Sequence, residues 1–424
     1  MHQVDRFSGI SVITRARRTL GVAIGLVGAA VAGGSQRLAQ AQTSACTSTV
    51  SPGPTMNTGR VEAAVALLDA GKVLIAGSNA FDPSAQVYDP SSGTLTATGS
   101  LNFGRCYGCA SAKLPGGKVL VAGGWAGGPV LDNAELYDPA TGTFTLSGGT
   151  MVANRLGASA TLLPTGKVLF FAGHNGFALH GTAELYDPAS DSFAPTGSPT
   201  VVRWAYPALL VDGRVLFAGG VTDANIKMTN SDVYDPATGT FAITGSLATP
   251  RGDYSAIRLA SGKVLVTGGS TNGGAILASA ELYDPMTGTF GPAGSMADAR
   301  HGQTSTLLPD GQVLIVGGYG PGGALATTEL YDPSSNTFTL GPILAEARGN
   351  NAATSLPDGD VLIVGGYGSS GTRLATIERF HRACVNVGPP TNKNQCKDDG
   401  WKRFDLPRKF KNQGDCVQFV QTGK

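Results

Sequence analysis

Residues 117–124 read GKVLVAGG, and close copies of this segment occur at 71–78, 166–174, 213–220, 262–269, 311–318 and 359–366. Between the copies a Tyr-Asp-Pro triplet recurs at Tyr88, Tyr137, Tyr186, Tyr234, Tyr283 and Tyr331, at spacings of 48 or 49 residues. Phe380-His381-Arg382 stands where a seventh triplet would fall. An arginine precedes every copy: Arg60, Arg105, Arg155, Arg203, Arg251, Arg300 and Arg348. A period this long, held seven times, means one supersecondary unit stacked on itself.

Each unit reads as four short strands. In the fifth, 255–259 is a first strand, 260–262 a tight turn, and 263–267 a β-branched run of the kind buried on both faces. Gly268-Gly269 ends that run and admits close backbone approach. The segment 280–283 is the third strand. Asp284-Pro285-Met286-Thr287-Gly288 then has the chemistry of a turn: a self-capping Asp, a preset φ and a left-handed Gly. Thr289-Phe290 opens the fourth strand. No helical period appears in the repeat region. Four strands per unit and seven units predict an all-β, seven-bladed propeller.

The paired glycines, the Tyr beyond the variable loop and the aromatic after the turn resemble kelch repeats over roughly residues 49–383. The LLP-x-G-KVL-x-GG wording is similar to secreted kelch propellers, including galactose-oxidase-like enzymes. Ser78 and His174 are read as departures that replace the second glycine, with an extra Phe at Phe170-Phe171 in unit three.

Unit seven lacks its fourth strand. Met56 precedes Arg60 by four residues, as Met296 precedes Arg300, so 47–51 is predicted to supply the missing outer strand beside 377–380. Such closure removes sheet edges. Cys46 and Cys384 then fall where the third-to-fourth turn would be, and a disulfide is predicted between them. Cys396 and Cys416 are expected to pair within the tail. Cys106 and Cys109 form a C-x-x-C at the ring mouth: a small disulfide is favoured, with a free dithiol or a zinc pair as the other readings.

The ends differ from the repeats. Residues 15–18 are Arg-Ala-Arg-Arg, 20–33 are uncharged and apolar, and Ala39-Gln40-Ala41 follows. This is the pattern of a signal peptide over 1–41, too short in its apolar stretch to span a bilayer. The propeller is assigned to 42–387 and a basic, Cys-containing tail to 388–424, whose sequence resembles a tail found on unrelated exported bacterial proteins. The chain is therefore expected outside the cytoplasm, with no membrane span after cleavage and as a monomer. The segment 42–383 carries 18 basic and 25 acidic residues, which argues against a nucleic-acid partner.

Chemistry is harder to find. The seven arginines are expected to bond blade backbones and carboxylates, because seven free like charges around an axis would repel. The YDP aspartates are turn residues. Galactose-oxidase-like propellers hold copper with Tyr and His in the loops after the corresponding Arg. Here the second and third positions after each Arg are Glu62-Ala63, Tyr107-Gly108, Gly157-Ala158, Ala205-Tyr206, Asp253-Tyr254, Gly302-Gln303 and Asn350-Asn351, with no His. No cofactor or metal is expected, and no hydrolase, zincin or P-loop motif occurs. The variable loops of one face carry Tyr107, Trp125, Phe177, Trp204, Tyr319 and Tyr367, with Glu62, Asp253 and His301 as polar points. Variable loops on a rigid scaffold are where recognition resides. The expected function is a binding module for a protein or glycan. The alternative is a carbohydrate-active enzyme using Asp253 or Glu62 with His301; packing between blades is the alternative for each aromatic.

Overall fold

The computed structural model describes residues 45–78, 81–106, 108–385, 411–413 and 416–418. Residues 1–41, expected from sequence to be a signal peptide, lie outside the described residues, as do Tyr107, Cys396 and most of the tail.

Seven four-stranded antiparallel sheets follow one another along the chain. Blade one is built from Ala64–Leu67, Val73–Ser78, Asp82–Asp89 and Thr94–Thr98, innermost to outermost. Blade five shows how closely turn chemistry fixes the elements: its strands are Ser255–Arg258, Val264–Thr267, Ser279–Asp284 and Thr289–Ser295. The innermost strands touch neighbour to neighbour around the ring, the last closing on the first. The second strands are buried throughout, which is why they read as continuous Val-Leu-Ile runs. The chain is an all-β, seven-bladed propeller. Among the described residues no helix is long and apolar enough to cross a membrane.

The YDP triplets join blades as well as turning strands. Tyr137, Tyr234 and Tyr283 are buried, and their hydroxyls bond Thr98, Thr196 and Thr244 of the preceding blade at 2.8–2.9 Å. The following Asp caps its turn; Asp284 Oδ1 accepts from the Met286 amide at 3.0 Å. Its other oxygen meets the Lys of the repeat, as in Lys263–Asp284 at 3.1 Å. In blade one, Ser91 and Lys72 hold Asp89 down to about 2.

Blade seven is completed by Ala45–Thr55, which pairs antiparallel with Thr376–Val385. Residues 47–51 lie opposite 379–383, so the shared ladder runs further than sequence indicated: Cys46 sits opposite Cys384, and Val50 opposite Phe380. Cys46 and Cys384 are disulfide-bonded, with Cα atoms 4.0 Å apart. Cys106 and Cys109 are bonded to each other, and Cys416 is also in a disulfide.

The glycine pairs form a belt between blades. The second glycine amide donates to the next blade's Arg carbonyl in Gly124→Arg155, Gly220→Arg251, Gly269→Arg300, Gly318→Arg348 and, closing the ring, Gly366→Arg60, at 2.7–3.1 Å. A Cβ on Gly268 or Gly317 would press into the Arg300 or Arg348 carbonyl. Here the structure corrects the reading of unit three. Val168–Phe171 is an ordinary four-residue strand without an extra residue, and Ala172-Gly173 occupy the two glycine positions at φ 58° and 92°. His174 therefore matches Trp125 rather than a glycine. Among the described residues the belt bond is absent at two of the seven joins: between blades one and two, where Ser78 holds the second position, and between blades three and four, where Ala172 holds the first.

Left-handed backbone costs alanine about 1–2 kcal/mol, and glycine's chain entropy takes back about 0.5–1. Ala172→Gly should therefore stabilise the protein by about 0.5–1 kcal/mol, raising the melting midpoint by about 1–3 °C. A lowered midpoint would show that the methyl packs better than it strains.

Candidate functional site

The site is built on one loop per blade, the link from outer strand to next inner strand, and its anchor is the repeated arginine. All seven are buried. Arg300 donates to the carbonyls of Gly317 and Thr327 at 2.8 and 3.0 Å and to Glu329 Oε1 at 2.8 Å. Equivalent carboxylates are Glu135, Glu184, Asp232, Glu281 and Glu378, at 2.6–2.9 Å from their arginines. The sequence reading left these acids unassigned, though a Glu two residues before the YDP Tyr was there to see. Blade one departs: Gln86 takes the position, its Oε1 accepting from the Asn57 amide at 3.0 Å, and Arg60 has Asp82 at 3.8 Å instead. The guanidinium charges are thus satisfied inside the blades.

Immediately after six of the seven arginines the chain meets the loop beyond the glycine pair. Single bridges join Cys106 to Trp125, Leu156 to His174, Trp204 to Val221, Gly252 to Ser270, His301 to Tyr319 and Gly349 to Tyr367. Both variable connections therefore share one face. One residue further on, the backbone turns left-handed: Gly157 and Gly302 do so freely, but Glu62, Asp253 and Asn350 do so as non-glycines, at φ 51–59°. Blade two has one residue more here. Its left-handed Gly108 lies three after the arginine, and the Cys106–Cys109 disulfide closes the enlarged loop.

This ring is tied to itself across blades. The Gly157 amide donates to Gly108 O at 2.8 Å, Gly302 to Asp253 O at 2.9 Å, and Asn350 to Gly302 O at 2.9 Å. The Gly108 amide donates to the Glu62 carboxylate at 2.9 Å. Inside the ring, Tyr206 lies edge-on to Tyr254 at 5.4 Å, and its amide donates to the Tyr254 hydroxyl at 3.2 Å.

Electrostatics mark the ring as a shared environment. Burial raises the Glu62 carboxyl, opposed by the Gly108 amide. Part of the residue nevertheless stays open to solvent. Tyr206 is pushed up by burial, then by the charges of Asp253, Tyr254 and Glu62. Burial, Tyr367 and Glu62 push Tyr319 up to about 12. His301 is lowered by burial, with Asp253 opposing and Lys227 assisting. The Glu62 charge thus reaches Tyr206 and Tyr319, and the Asp253 charge reaches Tyr206, Tyr254 and His301. Tyr206 and Tyr254 were not singled out from sequence, although both follow their arginines, Arg203 and Arg251, by three residues.

The remaining sequence candidates sit further out. Trp125 is half-buried, its indole N–H on the Gly128 carbonyl and its ring edge-on to Phe81 at 5.2 Å. Phe177 is 93% exposed. Trp204 differs from expectation: it is half-buried against the core between blades three and four and stacks on His174 at 5.9 Å. Its role as a free mouth residue is therefore shared with packing.

The donors do not suit a copper centre. His180 is held on the Asn154 carbonyl at 2.9 Å, His174 lies 3.6 Å from Asp223, His301 lies against Tyr319, and His381 bonds Asp360 in blade seven at 2.6 Å. Among the described residues the one group of three His, Cys, Asp or Glu with converging ligand atoms is Cys46, Asp310 and Cys384, whose sulfurs are joined to each other.

Kelch motif models match residues 106–147 and 299–344. With the seven closed blades, these define a kelch-type β-propeller. No curated protein matches the sequence. Among solved structures, a novel fungal alcohol oxidase of the AA5 family in complex with copper is similar at 18% identity and a TM-score of 0.65, over 78% of this chain and 76% of that one. A structure of YjhT is similar at 16% identity and a TM-score of 0.54, over 68% of this chain and 99% of the other. At these identities the likeness is one of fold.

Proposed function

We propose that the protein is an exported binding module that receives a protein or glycan ligand at the loop face of the propeller. The observation that carries this reading is the set of polar and aromatic side chains gathered at one end of the ring: Glu62, Asp253 and His301 with Tyr206, Tyr319 and Tyr367. The opposite face is made of near-identical tight turns and offers little to distinguish one ligand from another. Export is supported by the leader pattern and agrees with the bonded cysteines, since such bonds persist in oxidising compartments.

The test is a screen of the chain lacking 1–41 against glycan and peptide arrays, followed by substitution. Trp125→Ala should weaken binding of the selected ligand about tenfold, or about 1.4 kcal/mol, with the melting midpoint unchanged. Trp204→Ala should weaken binding and also cost about 2 kcal/mol of stability, because it packs on a core cluster. Unchanged affinity in both variants would remove the aromatic loops from recognition.

An enzymatic reading has one observation in its favour, the Glu62 carboxyl held toward its protonated form beside the Gly108 amide. Sugar hydrolysis by the chain, abolished by Glu62→Gln, would establish that reading instead.

A further inference from the structure

We propose that the Cys106–Cys109 disulfide is a reactive site for low-molecular-weight thiols, with exchange directed at the Cys109 sulfur, and that its redox state sets how tightly the loops of blades one to three are held together. This goes beyond the ligand reading above and stands without it.

As a staple the bond achieves little. Its cysteines are 3 positions apart in sequence, whereas those of Cys46–Cys384 are 338 apart. Restriction of the unfolded chain grows with the length of the loop closed, so the short bond contributes the smaller share. The other six blades build the same link between outer and inner strand with no cysteine in it. Only blade two carries the added residue together with the bonded pair, and the neighbouring blade makes room for it. A Cβ on Gly77 would lie 2.8 Å from the Cys106 sulfur.

The two sulfurs stand in different surroundings. Cys106 is wholly buried in the core cluster between blades one and two, while Cys109 is half-buried and packs against that cluster from the loop face. A thiolate needs access to the sulfur it attacks. Access therefore selects Cys109 and makes Cys106 the leaving group. The incoming thiolate forms an S–S bond to Cys109 as the Cys109–Cys106 bond breaks. Cys106 leaves with the electron pair and takes up the proton that the thiol gave up. A second thiolate then attacks the outer sulfur of the mixed disulfide and releases Cys109, which is protonated in turn. Two thiols are oxidised to their disulfide, and the protein disulfide is reduced to a dithiol.

What the bond holds is a junction. Gly108, inside the closed loop, is left-handed at φ 68°. Its amide donates to the Glu62 carboxylate of blade one at 2.9 Å, and its carbonyl accepts from the Gly157 amide of blade three at 2.8 Å. The Cys109 sulfur itself lies 3.9 Å from the Glu62 carbonyl oxygen. Reduction removes the covalent restraint on Gly108, and glycine has the most backbone freedom to regain. Both ties then weaken together. The matching ties, Gly302 to Asp253 and Asn350 to Gly302, join loops without cysteine and keep their strength.

The full chain lacking 1–41 would be incubated in the folded state with millimolar glutathione or dithiothreitol. Its thiols would be trapped with iodoacetamide and located by mass spectrometry, which separates this pair from the bonds at Cys384 and Cys416. Cys106 and Cys109 should be reduced with the circular dichroism unchanged, and glutathione should be caught on Cys109 rather than on Cys106. The Cys109 thiol of Cys106→Ser should react with iodoacetamide about tenfold or more faster than the Cys106 thiol of Cys109→Ser. Hydrogen exchange at the Gly108 and Gly157 amides should quicken about tenfold on reduction, with the Gly302 and Asn350 amides unchanged. A pair that stays oxidised until the chain unfolds overturns the proposal, as does glutathione caught on Cys106 or equal reactivity of the two thiols. The adduct is read on the unaltered chain, so it decides even where a single variant fails to fold. Reduction without faster exchange at Gly157 would overturn the control of the loops. No ligand enters these measurements, so their failure leaves the binding-module reading to its own test.

Discussion

Glu329→Ala should destabilise the propeller by about 3–5 kcal/mol, the cost of stranding a buried charge. Glu329 is wholly buried, and its two oxygens hold three donors: Arg300 at 2.8 Å, the Ala297 amide at 2.8 Å and the Asp298 amide at 3.1 Å. Removing the carboxylate frees all three in a site with little water. Burial already lowers the Arg300 guanidinium, with Glu329 the leading opposing influence. Glu329→Gln should cost markedly less, because blade one is the natural version of that change. There Gln86 keeps the backbone acceptor while Asp82 supplies a more distant charge to Arg60. In blade six Asp298, 3.4 Å from Arg300, stands ready for the same part. Denaturant midpoints for the two variants measure the difference. Equal losses would mean that the charge, and not the backbone acceptor, holds the loop.

The pair also shows what the sequence made legible and what it did not. The arginines were plain as a repeat, and their burial followed from the repulsion that seven free charges would suffer. Their partners were equally periodic, in the Glu of ELYDP, but that Glu reads as an ordinary strand residue until the fold brings it under the next loop. Strand order, blade number and the N-terminal closure could be read because each depends on local turn chemistry or on counting. The ring at the mouth could not. Glu62 and Asp253 lie four blades apart in order, and only the closed ring lets both charges act on Tyr206. Tyr206 and Tyr254 were passed over because a lone Tyr after a loop carries no local signal. Trp204 was placed in a loop correctly, but whether a loop side chain turns outward or onto a core is decided by the adjoining blade. The unit-three misalignment has a similar origin: FFAGH invites counting an extra Phe, and only φ shows Ala172 doing a glycine's task.

Joint replacement of Cys46 and Cys384 by Ser should lower stability by about 4–6 kcal/mol in the chain-entropy view, and by less if the unfolded chain is compact. The bond links residues 338 apart in sequence, so it closes nearly the whole ring. What remains without it is a ladder between Ala45–Thr55 and Thr376–Val385, assisted by Arg382, whose Nη1 donates to Ser48 at 2.9 Å and whose Nε donates to Asp310 at 2.6 Å. Those contacts should still form the closed propeller at room temperature, since the other six blades carry their own outer strands. The weak point moves to the join. Hydrogen exchange in the variant should speed first along residues 46–51 and 379–384, with the second strands of blades two to six protected until global unfolding. Reducing agent should reproduce this in the protein that keeps Cys46 and Cys384, once the Cys106–Cys109 bond and the bond at Cys416 have been removed by substitution to keep the effects apart. A denaturation midpoint unmoved by the double replacement would show that strand pairing alone closes the ring and that the disulfide contributes nothing to holding blade seven.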